Sequence, residues 1–219
     1  MSGAHHLQLI TDRRAARGDL ATAVSRALEG GVDSVQVRDK GASASEVFAS
    51  VLEIQRLARN SSARVLVNDR IDVALAARAH GVHLAAKSLP PTVARSLLEP
   101  WQLVGTSVHS IEEAIRAARD GADYLTFGHV YPTWSHEGEP ARGARLLADV
   151  VAAVDVPVLA IGGIRADRVE EVLATGCAGI AVISAVLGAD DPKLATRALR
   201  DAIDRHGVPP RRAFPERRD

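Results

Sequence analysis

The sequence predicts a single (β/α)₈ barrel, and three observations predict it. Eight short, β-rich apolar runs recur along the chain, most of them continuous and not alternating, as strands buried on both faces of a parallel sheet require. The segments between them read as helices. Glycine marks four of the passages from helix to strand, where its left-handed conformation stops a helix. Repeated β-then-α units favour a closed barrel over an open doubly wound sheet, and no G-x-G-x-x-G follows the first strand to support the latter.

In order, the first run is Leu7–Thr11, followed by Leu20, Val24, Ala27 and Leu28 at helical spacing and closed by Gly30-Gly31. The second is Ser34–Arg38, followed by Val47, Val51, Leu52, Ile54 and Leu57. The third is Val65–Asn68, and the fourth, Gly81–Leu84, is entered through His80-Gly81. Leu103–Thr106 is the fifth, and Tyr124–Phe127, entered through Asp120-Gly121, is the sixth. Val158–Ile161 is the seventh, and Gly179–Ile183, entered through Thr175-Gly176, is the eighth. The barrel is expected over residues 1–206. The proline- and arginine-rich stretch 207–219 reads as a flexible tail.

Composition narrows the function class. The 219 residues carry 27 basic and 27 acidic side chains and only 3% aromatics. A nucleic-acid binder needs a basic face or stacking rings, so no nucleic-acid partner is expected. Neither is a membrane partner, because the longest weakly polar stretch, Gly176 to Ala189, is too short and too rich in Gly and Ala. The start lacks the order of a signal peptide, and one cysteine, Cys177, cannot form an internal disulfide. A cytoplasmic location follows as an expectation. Of the 27 basic residues only Lys40, Lys87 and Lys193 are lysine.

In a barrel, chemistry collects at the C-terminal ends of the strands. There the sequence places Arg38, Asp39 and Lys40, then Asn68 and Asp69, then Ser107 and His109. Further on come His129, Gly162, Gly163 and Ser184, the last beside Ile183. Glycines after strand seven and Ile183-Ser184 at strand eight suit a phosphate cradle made of backbone N–H groups. Arg38 and Lys40 alternate out of strand two and suit a second anion, or else an ion pair with Asp39 or Asp69. His129 follows an apolar strand and is suited to moving a proton, or is simply packed there. Asn68 and Asp69 are oxygen ligands without a second carboxylate after strand four, so no firm metal site is expected.

Leu9-Ile10-Thr11-Asp12, Val35-Gln36-Val37-Arg38-Asp39-Lys40 and Leu66-Val67-Asn68-Asp69-Arg70 come in series. Gly81-Val82-His83-Leu84, Gly105-Thr106-Ser107-Val108-His109-Ser110 and Gly121-Ala122-Asp123-Tyr124 follow, then Ile161-Gly162-Gly163-Ile164 and Ala181-Val182-Ile183-Ser184-Ala185. From Leu7 to about Asp204 this series resembles the thiamine-phosphate synthase/TenI family. The resemblance implies the barrel and a thiazole phosphate held by Gly163, Ile183 and Ser184, with Thr133 and Ser135 nearby. Synthases of that family join a pyrimidine pyrophosphate to the thiazole phosphate with Mg²⁺. They carry Gly-Gln-x-Asp after strand four and a lysine after the Thr-x-Thr element. Here those places read Ala85-Ala86-Lys87-Ser88 and Thr133-Trp134-Ser135-His136. Phe127-Gly128-His129 resembles the thiazole tautomerase branch, whose corresponding histidine is the proposed acid–base residue.

The expectation is therefore an isomerase, a thiazole tautomerase of thiamine biosynthesis. It would aromatise a carboxythiazole phosphate by a proton shift through His129, with no metal or cofactor. Arg38, Lys40, Ser107, Thr133 and Ser135 would hold the remaining substrate groups. The first alternative is thiamine-phosphate synthase, with Mg²⁺ near Asp69. The second is a non-catalytic protein that binds thiamine intermediates. Expected partners are the small phosphorylated thiazole, a thiazole synthase that supplies it and further copies of the chain.

Overall fold

The computed structural model describes residues 5–134 and 137–216. Eight parallel strands close into one barrel in sequence order. They are β1 (His6–Ile10), β2 (Ser34–Val37), β3 (Arg64–Asn68), β4 (Gly81–Leu84), β5 (Leu103–Val108), β6 (Tyr124–Gly128), β7 (Val158–Ile161) and β8 (Gly179–Val182). β8 pairs back onto β1 through Leu7 opposite Ile180 and Leu9 opposite Val182, which completes the (β/α)₈ closure. Around it lie α1 (Leu20–Gly30), α2 (Ala44–Ala58), α3 (Ile71–Ala76), α4 (Pro91–Leu97), α5 (Ile111–Arg119) and α6 (Gly143–Ala153). A 3₁₀ turn at Ala166–Arg168 leads into α7 (Val169–Leu173), followed by α8 (Ser184–Leu187) and α9 (Pro192–His206).

Local chemistry sets the helix ends. Asp19 caps α1 by accepting from the Thr22 N–H, and Gly31 ends it at φ 100°. Ser43 and Glu46 form a reciprocal capping box on α2. Gly121 and Gly176 take the left-handed angles expected of them. Gly81 has a different job. A Cβ there would lie 2.1 Å from the Leu103 carbonyl oxygen, so the glycine lets β4 approach β5. Arg78, at φ 48°, makes the left-handed turn after α3 instead.

The main apolar core lies between strands and helices, with Val35, Val67, Val82, Val104, Leu125 and Ile180 facing outward from the barrel. The inward faces are mixed. Leu66, Leu103, Tyr124 and Leu159 fill the lower end together with Phe214. Above them runs a buried polar chain. The Gln8 amide donates to Ser34 Oγ at 3.2 Å and to Tyr124 Oη at 3.4 Å, while His83 reaches Tyr124 Oη at 3.0 Å and Ser107 Oγ at 2.9 Å. Gly105 makes room for this chain, since a Cβ there would sit 2.2 Å from Tyr124 Cζ.

The tail differs from the mobile extension that its composition suggests. Over its described part, to Glu216, it lies under the barrel. Phe214 stacks on His6 with ring centroids 3.8 Å apart, and the Arg64 guanidinium sits 4.7 Å above the same ring. Arg64 also donates to the Pro215 carbonyl at 2.7 Å. Composition is blind to this, because one aromatic side chain matched to the barrel's lower opening outweighs its solvated neighbours. Among the described residues no helix is long and apolar enough to cross a membrane.

His83 makes stability depend on pH. Burial lowers its imidazole from 6.5 to about 3, so the folded chain holds it neutral. Above the unfolded value its contribution is complete. As pH falls below 6.5 the unfolded chain takes up a proton that the folded chain refuses, and stability drops by up to about 1.4 kcal/mol per pH unit. The unfolding midpoint is therefore expected to fall steadily from pH 7 to pH 5 in thermal melts. A profile flat across that range would contradict a neutral, buried His83.

Candidate active site

The residues expected at the strand ends converge on one cavity of about 950 Å³ at the C-terminal mouth of the barrel. Arg38, Lys40, Asp69, Ser107, His129, Thr133, Gly162, Gly163, Ile183 and Ser184 all line it. Ser135 lies outside the described residues, as does His136.

At the β7–β8 side the wall is backbone. Gly162 and Gly163 have φ values of 101° and 65°, which favour glycine. Space demands it too. A Cβ on Gly162 would lie 2.3 Å from His129 Cβ, and one on Gly163 would lie 2.6 Å from the Pro132 carbonyl oxygen. Among the described residues the N–H groups of Gly162, Gly163 and Ile183 donate to no backbone carbonyl, which leaves them available to an anion. Arg168 fixes the loop by donating to the Gly163 carbonyl at 2.7 Å, and its guanidinium lies 4.5 Å from the centre of the Tyr131 ring.

At the β2 side the wall is cationic. Thr11 Oγ1 accepts from the Arg38 N–H at 2.8 Å and donates to the Arg38 carbonyl at 3.1 Å, which holds the end of β2 against β1. Arg38 Nη1 donates to Asp12 at 3.0 Å, so its ion-pair partner is Asp12 and neither Asp39 nor Asp69. Asp39 pairs instead with Arg13. Lys40 is held below the ordinary lysine range, chiefly by the Arg38 charge and also by Lys87 and Arg14.

The floor is polar and buried. Thr126 Oγ1 and Ser107 Oγ are 3.2 Å apart, each within reach of His83. The Gln36 amide nitrogen is buried with no hydrogen-bond partner among the described residues. Gln36 and Lys87 also line the cavity, although the sequence alone assigns neither a binding role. The signal for Gln36 was a polar residue inside the apolar Val35-Gln36-Val37 run, which a strand's period of two turns inward. For Lys87 the signal was its place directly after strand four, in a chain with only three lysines.

His129 is buried beside Gly162, and its Nε2 lies 3.3 Å from the Glu139 carbonyl oxygen. His109 stands just before the cap of α5. Ser110 caps α5, and His109 Nδ1 contacts the Gly128 carbonyl at 2.8 Å. Cys177 is buried away from the mouth, and burial pushes its thiol up, which suits an inert packing residue.

Comparison with known proteins gives a consistent result. Residues 7–186 match the family described as thiamine monophosphate synthase (TMP-TENI). A thiamine-phosphate synthase of Pyrococcus horikoshii is 46% identical over 198 residues, covering 90% of this chain and 94% of that protein. One from Methanoculleus marisnigri is 42% identical over 201 residues, covering 91% and 95%. The solved structure of a thiamine phosphate pyrophosphorylase from Pyrococcus furiosus superimposes with a TM-score of 0.85 at 42% identity, covering 93% of this chain and 97% of that one. A 3-hexulose-6-phosphate synthase superimposes at 0.68 with 17% identity, a likeness of fold alone.

These findings correct the expectation of a thiazole tautomerase, and with it the isomerase class. The relatives that match nearly the whole chain at 42–46% identity are named as synthases. The tautomerase reading gave Ser88, His136 and His129 more weight than the rest of the chain. A few changed side chains on a shared barrel do not outweigh likeness along its whole length. The chain belongs to the thiamine monophosphate synthase (TMP-TENI) family.

Proposed function

We propose that the chain is a thiamine-phosphate synthase, coupling a pyrimidine pyrophosphate to a thiazole phosphate with release of pyrophosphate. One observation carries the reading beyond family membership: a single cavity has anion-binding groups at both ends. The free N–H groups of Gly162, Gly163 and Ile183, with the Ser184 hydroxyl, suit the thiazole phosphate. Arg38 and Lys40 suit the pyrophosphate. The floor between them, Gln36, Ser107 and Thr126, offers donors and acceptors to a pyrimidine ring. Binding both anions in one cavity brings the thiazole nitrogen to the pyrimidine's methylene carbon.

In the reaction the carbon–oxygen bond breaks and its electron pair leaves with pyrophosphate. The thiazole nitrogen lone pair forms the new carbon–nitrogen bond. Leaving-group stabilisation is what this exchange needs most, and Arg38 and Lys40 supply positive charge where negative charge grows. No proton carrier is required for the exchange itself. His129 then serves as a wall residue that shapes the phosphate end beside Gly162, with Thr133 on the same rim.

Among the described residues no three His, Cys, Asp or Glu side chains gather into a metal site. Asp12 is tied to Arg38, whereas Asp69 lines the cavity outside any ion pair among the described residues. Asp69, with Asn68 beside it, offers hard oxygen donors and would be the residue to hold Mg²⁺. When bound there the ion would neutralise charge on the departing pyrophosphate.

The test is incubation of the purified chain with both substrates and Mg²⁺, with thiamine phosphate and pyrophosphate measured together. Equal formation of the two is expected. A folded protein that forms neither would overturn the reading.

A further inference from the structure

We infer that Lys87, in the loop between β4 and α4, is a ligand for the pyrophosphate group that lets this chain hold the anion without a divalent cation. The inference rests on the proposed coupling function for the identity of the anion, and on the following geometry for the rest.

Lys87 lines the same cavity as Arg38 and Lys40. Its loop is a short turn closed on both sides. The Ala85 N–H donates to Ser88 Oγ at 2.8 Å, and the Ser88 N–H donates to the Ala85 carbonyl at 2.9 Å. The lysine is thus carried on a braced turn whose base continues directly from β4.

Charge at this end is not balanced. The carboxylates lining the cavity are Asp12 and Asp69, and Asp12 is already paired with Arg38 at 3.0 Å. Of the three lysines, Lys193 pairs with Glu29, while Lys40 and Lys87 have no ion-pair partner among the described residues. Two lysine ammonium groups therefore border a cavity in which Asp69 is the one lining carboxylate outside an ion pair among the described residues. They are close enough to feel one another, since Lys87 adds to the Arg38 field acting on Lys40. The opposite end of the cavity differs: Arg165 is paired with Asp167, and Arg168 is engaged by the Gly163 carbonyl.

Gathering unpaired like charges around one cavity wall is unfavourable in the empty protein, and a polyanion relieves it. A pyrophosphate can accept hydrogen bonds from several ammonium and guanidinium groups at once, each charge-assisted. A metal held by one protein carboxylate is loosely attached, whereas Lys87 is always present. The side chain thus supplies part of the neutralisation that a divalent cation would otherwise provide.

Titration calorimetry with inorganic pyrophosphate tests this on the full chain, in EDTA and in excess Mg²⁺. The wild-type protein is expected to bind pyrophosphate in EDTA. Lys87→Ala should weaken that binding by about tenfold or more, and Lys87→Arg should restore most of it. In Mg²⁺ the Lys87→Ala loss should be smaller. Because Lys87 is exposed, the variants keep the fold. Wild-type binding that vanishes in EDTA, or Lys87→Ala binding equal to wild type in EDTA, overturns the inference. The two readings fail separately. Lys87-dependent pyrophosphate binding without coupling would sink the synthase reading alone, and coupling with Lys87-independent binding would sink this one alone.

Discussion

Arg38→Ala is expected to lower kcat/KM for coupling by about 10²–10³-fold while leaving the fold intact. Arg38 is the guanidinium at the cationic end of the cavity, and its backbone is locked by two hydrogen bonds with Thr11 that the substitution does not touch. The change acts twice. On the proposed coupling it removes positive charge from the place where the leaving pyrophosphate would develop negative charge, and it releases the Asp12 carboxylate now held at 3.0 Å. A freed carboxylate facing the same cavity opposes the substrate directly. Arg38→Lys should recover only part of the loss, because an ammonium cannot reproduce a planar fork that serves Asp12 and an anion together. Steady-state kinetics on both variants checks the prediction. An Arg38→Ala enzyme within threefold of wild type would remove Arg38 from the site.

Gly162→Ala is expected to damage stability and activity together. The residue sits at φ 101°, where a side chain is strained, and the added Cβ would lie 2.3 Å from His129 Cβ and 2.6 Å from its Cα. Neither is the flexible end of a side chain. Relief requires moving the β6–α6 loop, which is stitched to this turn by Val130 N–H to the Ile161 carbonyl at 2.9 Å and Tyr131 N–H to the Gly162 carbonyl at 3.0 Å. Strain and overpacking together are expected to cost about 3 kcal/mol. For a chain of this length that lowers the unfolding midpoint by about 6–12 °C. The same displacement carries out of place the N–H groups proposed to hold the phosphate, so on that reading the KM for the thiazole phosphate should rise at least tenfold even where the protein remains folded. Calorimetry and a substrate titration separate the two effects. A wild-type melting point would show that the loop yields freely, against the packing described.

The barrel was legible because its cause is periodic. Buried parallel strands must be short apolar runs, and helices must show their own spacing, so Val65–Asn68 or Val158–Ile161 could be placed within a residue or so. Gly162 and Gly163 were legible as a turn after the seventh strand, since a glycine pair there permits the positive φ values that the turn takes. The function within the family was misread where single positions, His129 above all, were weighed against likeness along the whole chain. Gln36 passed unnoticed as a site residue because its importance is an unmet hydrogen bond, which exists only once the barrel has closed around it.

The sequence by itself determined the (β/α)₈ class, the strand ends on which chemistry collects and the family to which the chain belongs, because local periodicity and short motifs encode all three. Only the tertiary structure decided what is paired with what. Arg38 takes Asp12 and not its neighbour Asp39, Phe214 fills the lower opening of the barrel, and Lys40 and Lys87 line one cavity. These are contacts between residues far apart in the chain. Their energies depend on distance and desolvation, and neither has a value until the barrel has brought its ends together.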